Sequence, residues 1–324
     1  MRIGTDTETL LEVMEFGGGG PTVVAIGGGT GLARSLEAIR GYAGSITAIV
    51  TVADDGGSSG RLAPSLDIPP PGDIRKCLIA LTPDESVWRQ LFEHRFTGAD
   101  VEGHSLGNLI IAALADIEGS FELALRSAEH LLGALGSVIP ASPLHLGLEA
   151  VIDGRPVAGQ VNISLARGSI EQIRVVPEEA TASETAVRAI EAADQIVLGP
   201  GSLYTSVIAA LLVPGISEAV NRSDAGLVYV TNVVTQDGET LEMDAADHLD
   251  ALLHTTGVRP PGAIVANDSP VSVDPPLEQL AVDSEAIATY GADLVSAGLL
   301  DQDAERPSHD PILLGEVLRE LSET

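Results

Sequence analysis

Apolar runs alternate with polar, glycine-rich segments along this chain in the order that predicts an α/β fold. Residues 22–26 and 46–52 are β-branched apolar runs, the pattern of strands buried on both faces. Between them Leu32, Leu36 and Ile39 recur at helical spacing, and the pattern stops near Gly41. A strand–turn–helix–strand unit of this kind predicts a parallel sheet with a right-handed crossover. Further helices are expected over 73–81, 85–95, 105–117 and 121–132. Strands follow over 136–139, 146–152, 156–163 and 170–176, with Asp153-Gly154 as a hairpin turn. Alternation then resumes with helix 183–193, strand 195–198, helix 203–212, strand 227–233, helix 245–256 and strand 263–266. Beyond Asp268 the chain is rich in Pro and Asp, with helices near 284–288 and 312–321.

The expected architecture is a Rossmann-like, doubly wound, mainly parallel sheet with a small antiparallel β insertion and extra helices. Its expected divisions are a flexible N-terminal segment 1–21, a nucleotide-binding domain 22–267 with the insertion near 136–176, and a helical extension 268–324 packed on the same domain.

Composition narrows the function. Of 324 residues, 44% are hydrophobic and 20% charged, which suits a sizeable core and argues against global disorder. No basic leader precedes the fold, and no apolar run approaches the about 18 residues of a membrane span, so the chain reads as soluble and cytoplasmic without membrane insertion. The lone Cys77 excludes an intrachain disulfide and reads as a core residue. Asp and Glu total 47 against 17 Lys and Arg, a net charge of −30, and Lys76 is the sole lysine. Such a field repels a nucleic-acid backbone, so direct nucleic-acid binding is not expected. It also repels nucleotides, so a nucleotide site must draw local positive potential from helix N-termini, backbone amides, arginines or a metal ion.

The segment Gly27-Gly28-Gly29-Thr30-Gly31 joins a strand to a helix, where missing side chains let a phosphate approach backbone amides and Thr30 adds a hydroxyl. It is no Walker A loop, and its glycine spacing departs from the dinucleotide fingerprint. At the end of the second strand lie Asp54, Asp55, Gly56, Gly57, Ser58, Ser59 and Arg61. Two carboxylates, hydroxyls and glycines there read as a ribose or Mg²⁺ site beside a phosphate nest, with Arg61 neutralising phosphate. The long loop 53–71 would close over a ligand. Asp73 and Arg75 follow a proline run, Asp73 reading equally as a helix cap or a ligand contact. His104 or Ser105 starts the next helix, with Asn108 one turn on and Gly107 marking a close approach by backbone or ligand. A second glycine-bearing turn carries Gly199, Pro200, Gly201, Ser202, Tyr204 and Thr205, and Asn232 stands at the end of a later strand. Two such turns at one sheet edge meet the requirement for a ligand crevice at a topological switch point.

Taken together, GGGTG, TVADDGGSSGRL (51–62), PPGDIR (70–75), GHSLGNL (103–109) and LGPGSLYTS (198–206) resemble, in order, the motifs of the gluconeogenesis factor (YvcK-like) family, within the 2-phospho-L-lactate transferase (CofD-like) superfamily. The resemblance spans about residues 22–256. It implies binding of nucleotide-sugars such as UDP-N-acetylglucosamine, or of dinucleotides, by a regulator linking central carbon metabolism to cell-wall precursor synthesis and cell shape, with a partner enzyme of that synthesis. The transferase branch instead implies a Mg²⁺-dependent phosphotransferase acting on a nucleotide-linked donor, with Asp54 and Asp55 as metal ligands. The resemblance also suggests Tyr290 near the ligand. Where relatives carry Arg before a His-Asp pair, this chain has Ser308 before His309-Asp310, with Arg306 nearby. The sequence leaves a homo-oligomer open.

Overall fold

A computed structural model describes residues 19–56, 60, 68–98 and 101–323. Residues 1–18, Gly57, Ser58, Ser59 and Arg61 lie outside them. The elements in order are β1 (Thr22–Gly27), α1 (Gly29–Ile39), β2 (Ser45–Val50), α2 (Pro71–Leu81), α3 (Val87–Glu93), α4 (Leu106–Glu118), α5 (Phe121–Leu132) and β3 (Ser137–Pro140). Then come β4 (Gly147–Ile152), β5 (Arg155–Ala158), α6 (Gln160–Leu165), β6 (Ile170–Val176), α7 (Glu184–Glu191) and β7 (Gln195–Leu198). The chain continues with α8 (Leu203–Leu211), whose first turns at Leu203–Ile208 are π-helical. Last are α9 (Ile216–Arg222), β8 (Gly226–Val230), α10 (Ala245–Thr256), β9 (Ala263–Asn267), α11 (Ser284–Ala288), β10 (Asp293–Ala297) and α12 (Pro311–Ser322).

The main sheet has seven strands in the order β10-β9-β8-β7-β1-β2-β3, and every pairing is parallel. This is the doubly wound order: the chain winds from β1 outward through β2 and β3, then crosses back to lay β7 on the other side of β1. The switch point therefore falls between β1 and β7. The central strands are apolar throughout because both faces are covered; Val23, Val24, Ala25, Ile26, Ile196, Val197 and Leu198 are all fully buried. One continuous core also takes in Leu148, Ala150 and Ile173 of the antiparallel sheet β5-β4-β6. The β4–β5 hairpin turns on Asp153 and Gly154, both at positive φ (48° and 73°), the geometry of a two-residue type I′ loop.

Three expectations are corrected. The strand read over 156–163 ends at Ala158; Gly159, at φ 92°, turns the chain into α6. Residues 137–140 do not belong to the insertion but form the edge strand β3 of the main sheet, paired with β2. The segment read as a helical extension contributes β10, the opposite edge of that sheet. Among the described residues no single helix is long and apolar enough to cross a membrane.

Candidate functional site

The carboxyl ends of β1, β2, β7 and β8 carry the glycine-rich and acidic segments to one edge of the sheet. Helix α1 begins at Gly29, so Gly29, Thr30 and Gly31 are its first turn rather than a preceding loop. Its cap residue Gly28 has no side chain to satisfy the first amides. Asp73 does this from α2: its Oδ2 accepts the Gly29 N–H at 2.7 Å, while Lys76 Nζ donates to Oδ1 at 2.8 Å. Asp73 is therefore no cap of its own helix, whose N-cap is Pro70. The Thr30 and Gly31 N–H groups have no acceptor among the described residues, which leaves donors and the positive end of the helix dipole facing the crevice.

The two glycine-bearing turns interlock. A Cβ on Gly31 would lie 2.4 Å from the Pro200 carbonyl oxygen and 2.9 Å from Gly201 Cα. A Cβ on Gly201 would lie 3.2 Å from the Gly28 carbonyl oxygen. Ser35 Oγ donates to the Gly199 carbonyl at 2.7 Å, and Asn232 Oδ1 accepts the Gly201 N–H at 3.0 Å, so α1 and the segment after β8 hold this turn from both sides. Ser202 begins α8 without a side-chain capping bond. Gly31→Ala is expected to lose about 1–3 kcal/mol by overpacking against backbone that cannot turn aside; urea denaturation measures it, and an unchanged midpoint would show that the turns separate freely.

The Tyr204 and Thr205 amides and the Thr205 hydroxyl are taken up by the chain itself. Glu239, after β8, accepts the Tyr204 N–H at 3.0 Å, the Thr205 N–H at 3.3 Å and the Thr205 hydroxyl at 2.6 Å. Ser164 Oγ of α6 also donates to it, at 3.3 Å. Burial pushes the Glu239 carboxyl pKa up, while these bonds pull it down. The second helix N-terminus of the crevice is thus neutralised by the chain's own carboxylate.

Asp54 and Asp55 accept from different backbone amides. Asp54 Oδ1 accepts the Gly56 N–H at 2.9 Å, and Asp55 Oδ1 reaches the Val161 N–H of α6 at 3.0 Å. Among the described residues no group of three or more His, Cys, Asp or Glu could hold a metal ion. Asp55 and the loop at Gly238, which passes against the Ser164 carbonyl, grip α6 on both sides of the switch point. Arg167 adds an ion pair to Asp237 at 2.6 Å.

Arg75 is buried, not on the surface: its Nε donates to Asn108 Oδ1 at 3.0 Å and an Nη to the Phe92 carbonyl at 3.2 Å. Burial is the largest influence on this guanidinium and lowers its pKa. Gly107 is explained by the same contact, because its Cβ would lie 2.8 Å from Arg75 Cδ and from Phe92. Ser105 caps α4 through the Asn108 N–H at 3.3 Å, and His104 precedes it in a turn that accepts the Phe96 N–H. Tyr290 donates to Asp250 at 2.6 Å. His309 is buried, its pKa lowered to about 4 by desolvation. Its segment folds back past Asn267, which accepts the Leu299 N–H, toward α1, where Arg34 pairs with Asp301.

Sequence reasoning missed Glu239, Thr51 and Lys76 as members of this edge. Thr51, just past β2, is 3% exposed and its hydroxyl has no partner among the described residues, a state that costs about 1–3 kcal/mol. Glu239 sits in a run that reads as ordinary turn. Lys76 carried a signal, since it is the sole lysine.

A doubly wound sheet with glycine-bearing turns at its switch point defines the class as Rossmann-like. Residues 23–300 match the family described as 2-phospho-L-lactate transferase CofD, and the chain belongs to that family. It is 47% identical over 234 residues to the gluconeogenesis factor of Bacillus subtilis, covering 72% of this chain and 74% of that protein. It is 46% identical over 252 residues to the gluconeogenesis factor of Halalkalibacterium halodurans, covering 77% and 78%. A crystal structure of a Bacillus halodurans protein superposes with a TM-score of 0.89 at 40% identity, covering 92% of this chain and 99% of that one.

Proposed function

We propose that the chain is a cytoplasmic nucleotide-sugar-binding regulator that takes UDP-N-acetylglucosamine or a close analogue and couples carbon metabolism to cell-wall precursor synthesis and cell shape. The observation that supports it most is the interlock of the β1–α1 and β7–α8 turns, which sets the Thr30 and Gly31 amides against bare glycine backbone at the switch point. The diphosphate would lie along the first turn of α1. Asn232, bound to Gly201, and Asp54 would line the flanks for ribose or base. A dinucleotide would use the same edge. The names of the relatives, gluconeogenesis factors, support a role in carbon metabolism. The grip of Asp55 and Glu239 on α6 gives ligand binding a mechanical route to the small sheet, the surface that would meet a partner enzyme.

A regulator needs no reacting group in the crevice, and Asp54 and Asp55 each already hold a backbone amide of the chain itself. Isothermal calorimetry against UDP-N-acetylglucosamine, GDP and NADP, with and without Mg²⁺, tests the reading. Saturable, Mg²⁺-independent preference for the UDP-sugar without product is expected. Preference for GDP, or binding that requires Mg²⁺ for every ligand, would replace it with the phosphotransferase reading suggested by the family's description.

A further inference from the structure

We infer that Lys76 is the phosphate-binding cation of the switch-point crevice, and that it takes a diphosphate ester whose oxygens replace the Asp73 carboxylate at the first turn of α1. The inference rests on the nucleotide-binding reading above and adds the residue that reads the ligand's charge.

The edge already holds an anion in this way. One carboxylate, Asp73, accepts from the Gly29 N–H at 2.7 Å and from the Lys76 ammonium at 2.8 Å. A helix-terminal amide together with an ammonium is the donor set that a phosphoryl oxygen requires. Residue 28 must be glycine here, because a Cβ on it would lie 2.6 Å from Thr51 Cγ2 and 3.0 Å from Asp73 Oδ2, so both side chains pack directly on its bare backbone. Thr51 turns its Cγ2 toward that glycine; the residue is 3% exposed, and its buried hydroxyl has no partner among the described residues. A phosphoryl oxygen beside Gly28 would supply one once the Thr51 side chain turns.

Among the described residues the other cations here are committed. Arg34 is paired with Glu37 and Asp301, and Arg75 is bound to Asn108 and the Phe92 carbonyl. The Lys76 side chain is 37% exposed and, among the described residues, pairs with Asp73 alone. An ammonium has three donors on a flexible stem, so it can keep Asp73 with one and offer the others to a phosphate. In a chain of net charge −30, this places the sole lysine beside the open amides of α1. Two anions cannot share the Gly29 amide, so phosphate binding moves Asp73 off it while Lys76 stays.

Because the chain has one ε-amine, acylation of that amine by an N-hydroxysuccinimide ester, followed by peptide mass spectrometry, reports on Lys76 directly. Inorganic pyrophosphate and UDP are expected to slow its acylation about fivefold or more, and uridine is expected to leave it unchanged. Lys76→Gln should weaken UDP-N-acetylglucosamine binding about tenfold or more, and Lys76→Arg should restore most of it, both at the wild-type denaturation midpoint. If the wild type binds the UDP-sugar while Lys76 is acylated at an unchanged rate and Lys76→Gln binds normally, this inference is overturned and the function stands. If the UDP-sugar fails to bind but pyrophosphate still protects Lys76, the cation assignment stands and the functional reading falls. Neither binding nor protection would overturn both.

Discussion

Glu239→Ala is expected to destabilise the protein by about 3 kcal/mol or more, the largest effect of any single substitution considered. The carboxylate is 7% exposed and receives the Tyr204 and Thr205 amides, the Thr205 hydroxyl and Ser164. Removing it leaves a buried helix N-terminus and two hydroxyls without their acceptor, and severs α8 from α6. Glutamine is no full substitute. An NH₂ at the Oε2 position would face the Tyr204 and Thr205 N–H groups, and an NH₂ at Oε1 would oblige the Thr205 and Ser164 hydroxyls to turn round and accept while meeting Gln236 Nε2 at 3.4 Å. Urea denaturation of both variants should rank them wild type, Gln, Ala. Hydrogen exchange should accelerate over residues 160–165 and 203–208 in the alanine variant. A loss under about 0.5 kcal/mol would show that water replaces the carboxylate and that Glu239 braces nothing.

The second large effect is a pH dependence set by Glu129 on α5, far from the crevice. Its Oε1 accepts the Val138 N–H at 2.6 Å and so holds edge strand β3. Burial is the main cause that raises its pKa from 4.5 to about 7, against smaller lowering by the Val138 amide and Arg126. A carboxyl with a raised pKa binds its proton more tightly folded than unfolded. Its contribution to stability is therefore fully present below about pH 4.5 and is lost as the pH climbs toward 7. Over that window the loss amounts to roughly 3 kcal/mol. Glu129→Gln keeps an acceptor for Val138 and removes the titration. Denaturant midpoints should show the variant more stable than wild type at pH 8 by roughly 1–3 kcal/mol and nearly equal to it at pH 4.5. Equal midpoints at both pH values would mean that Glu129 is solvated and titrates alike in the folded and unfolded chain.

Much of the fold was legible in local pattern. Helix 121–132 and strands 170–176 and 195–198 coincide with the observed α5, β6 and β7, because one apolar face or a fully apolar run leaves little choice of period. The misses lie where that signal is short or shared. Helix α9 covers only seven residues, too few to show a period. Strand β10 lies at a sheet edge, where Asp293 and Ser296 are tolerated because one side needs no burial. In α6, Val161 and Ile163 alternate as in a strand, and only the positive φ of Gly159 separates them from β5.

The candidate site divides in the same way. By itself the sequence determined that glycine-rich turns follow two buried strands, that the charge is strongly negative, and that a single lysine stands among prolines, acids and arginines. It could not say which polar groups meet. Asp73 reaches an amide 44 residues away, and Glu239 serves a helix start 34 and 35 residues before it. Those meetings follow from strand order, which places β7 beside β1 although the Thr22 N–H and the Asp194 carboxylate that meet there are separated by 172 positions. Periodicity reports whether a side chain faces core or solvent. The partners of a polar group at a sheet edge depend on which distant strands lie side by side, and only the tertiary structure decided that.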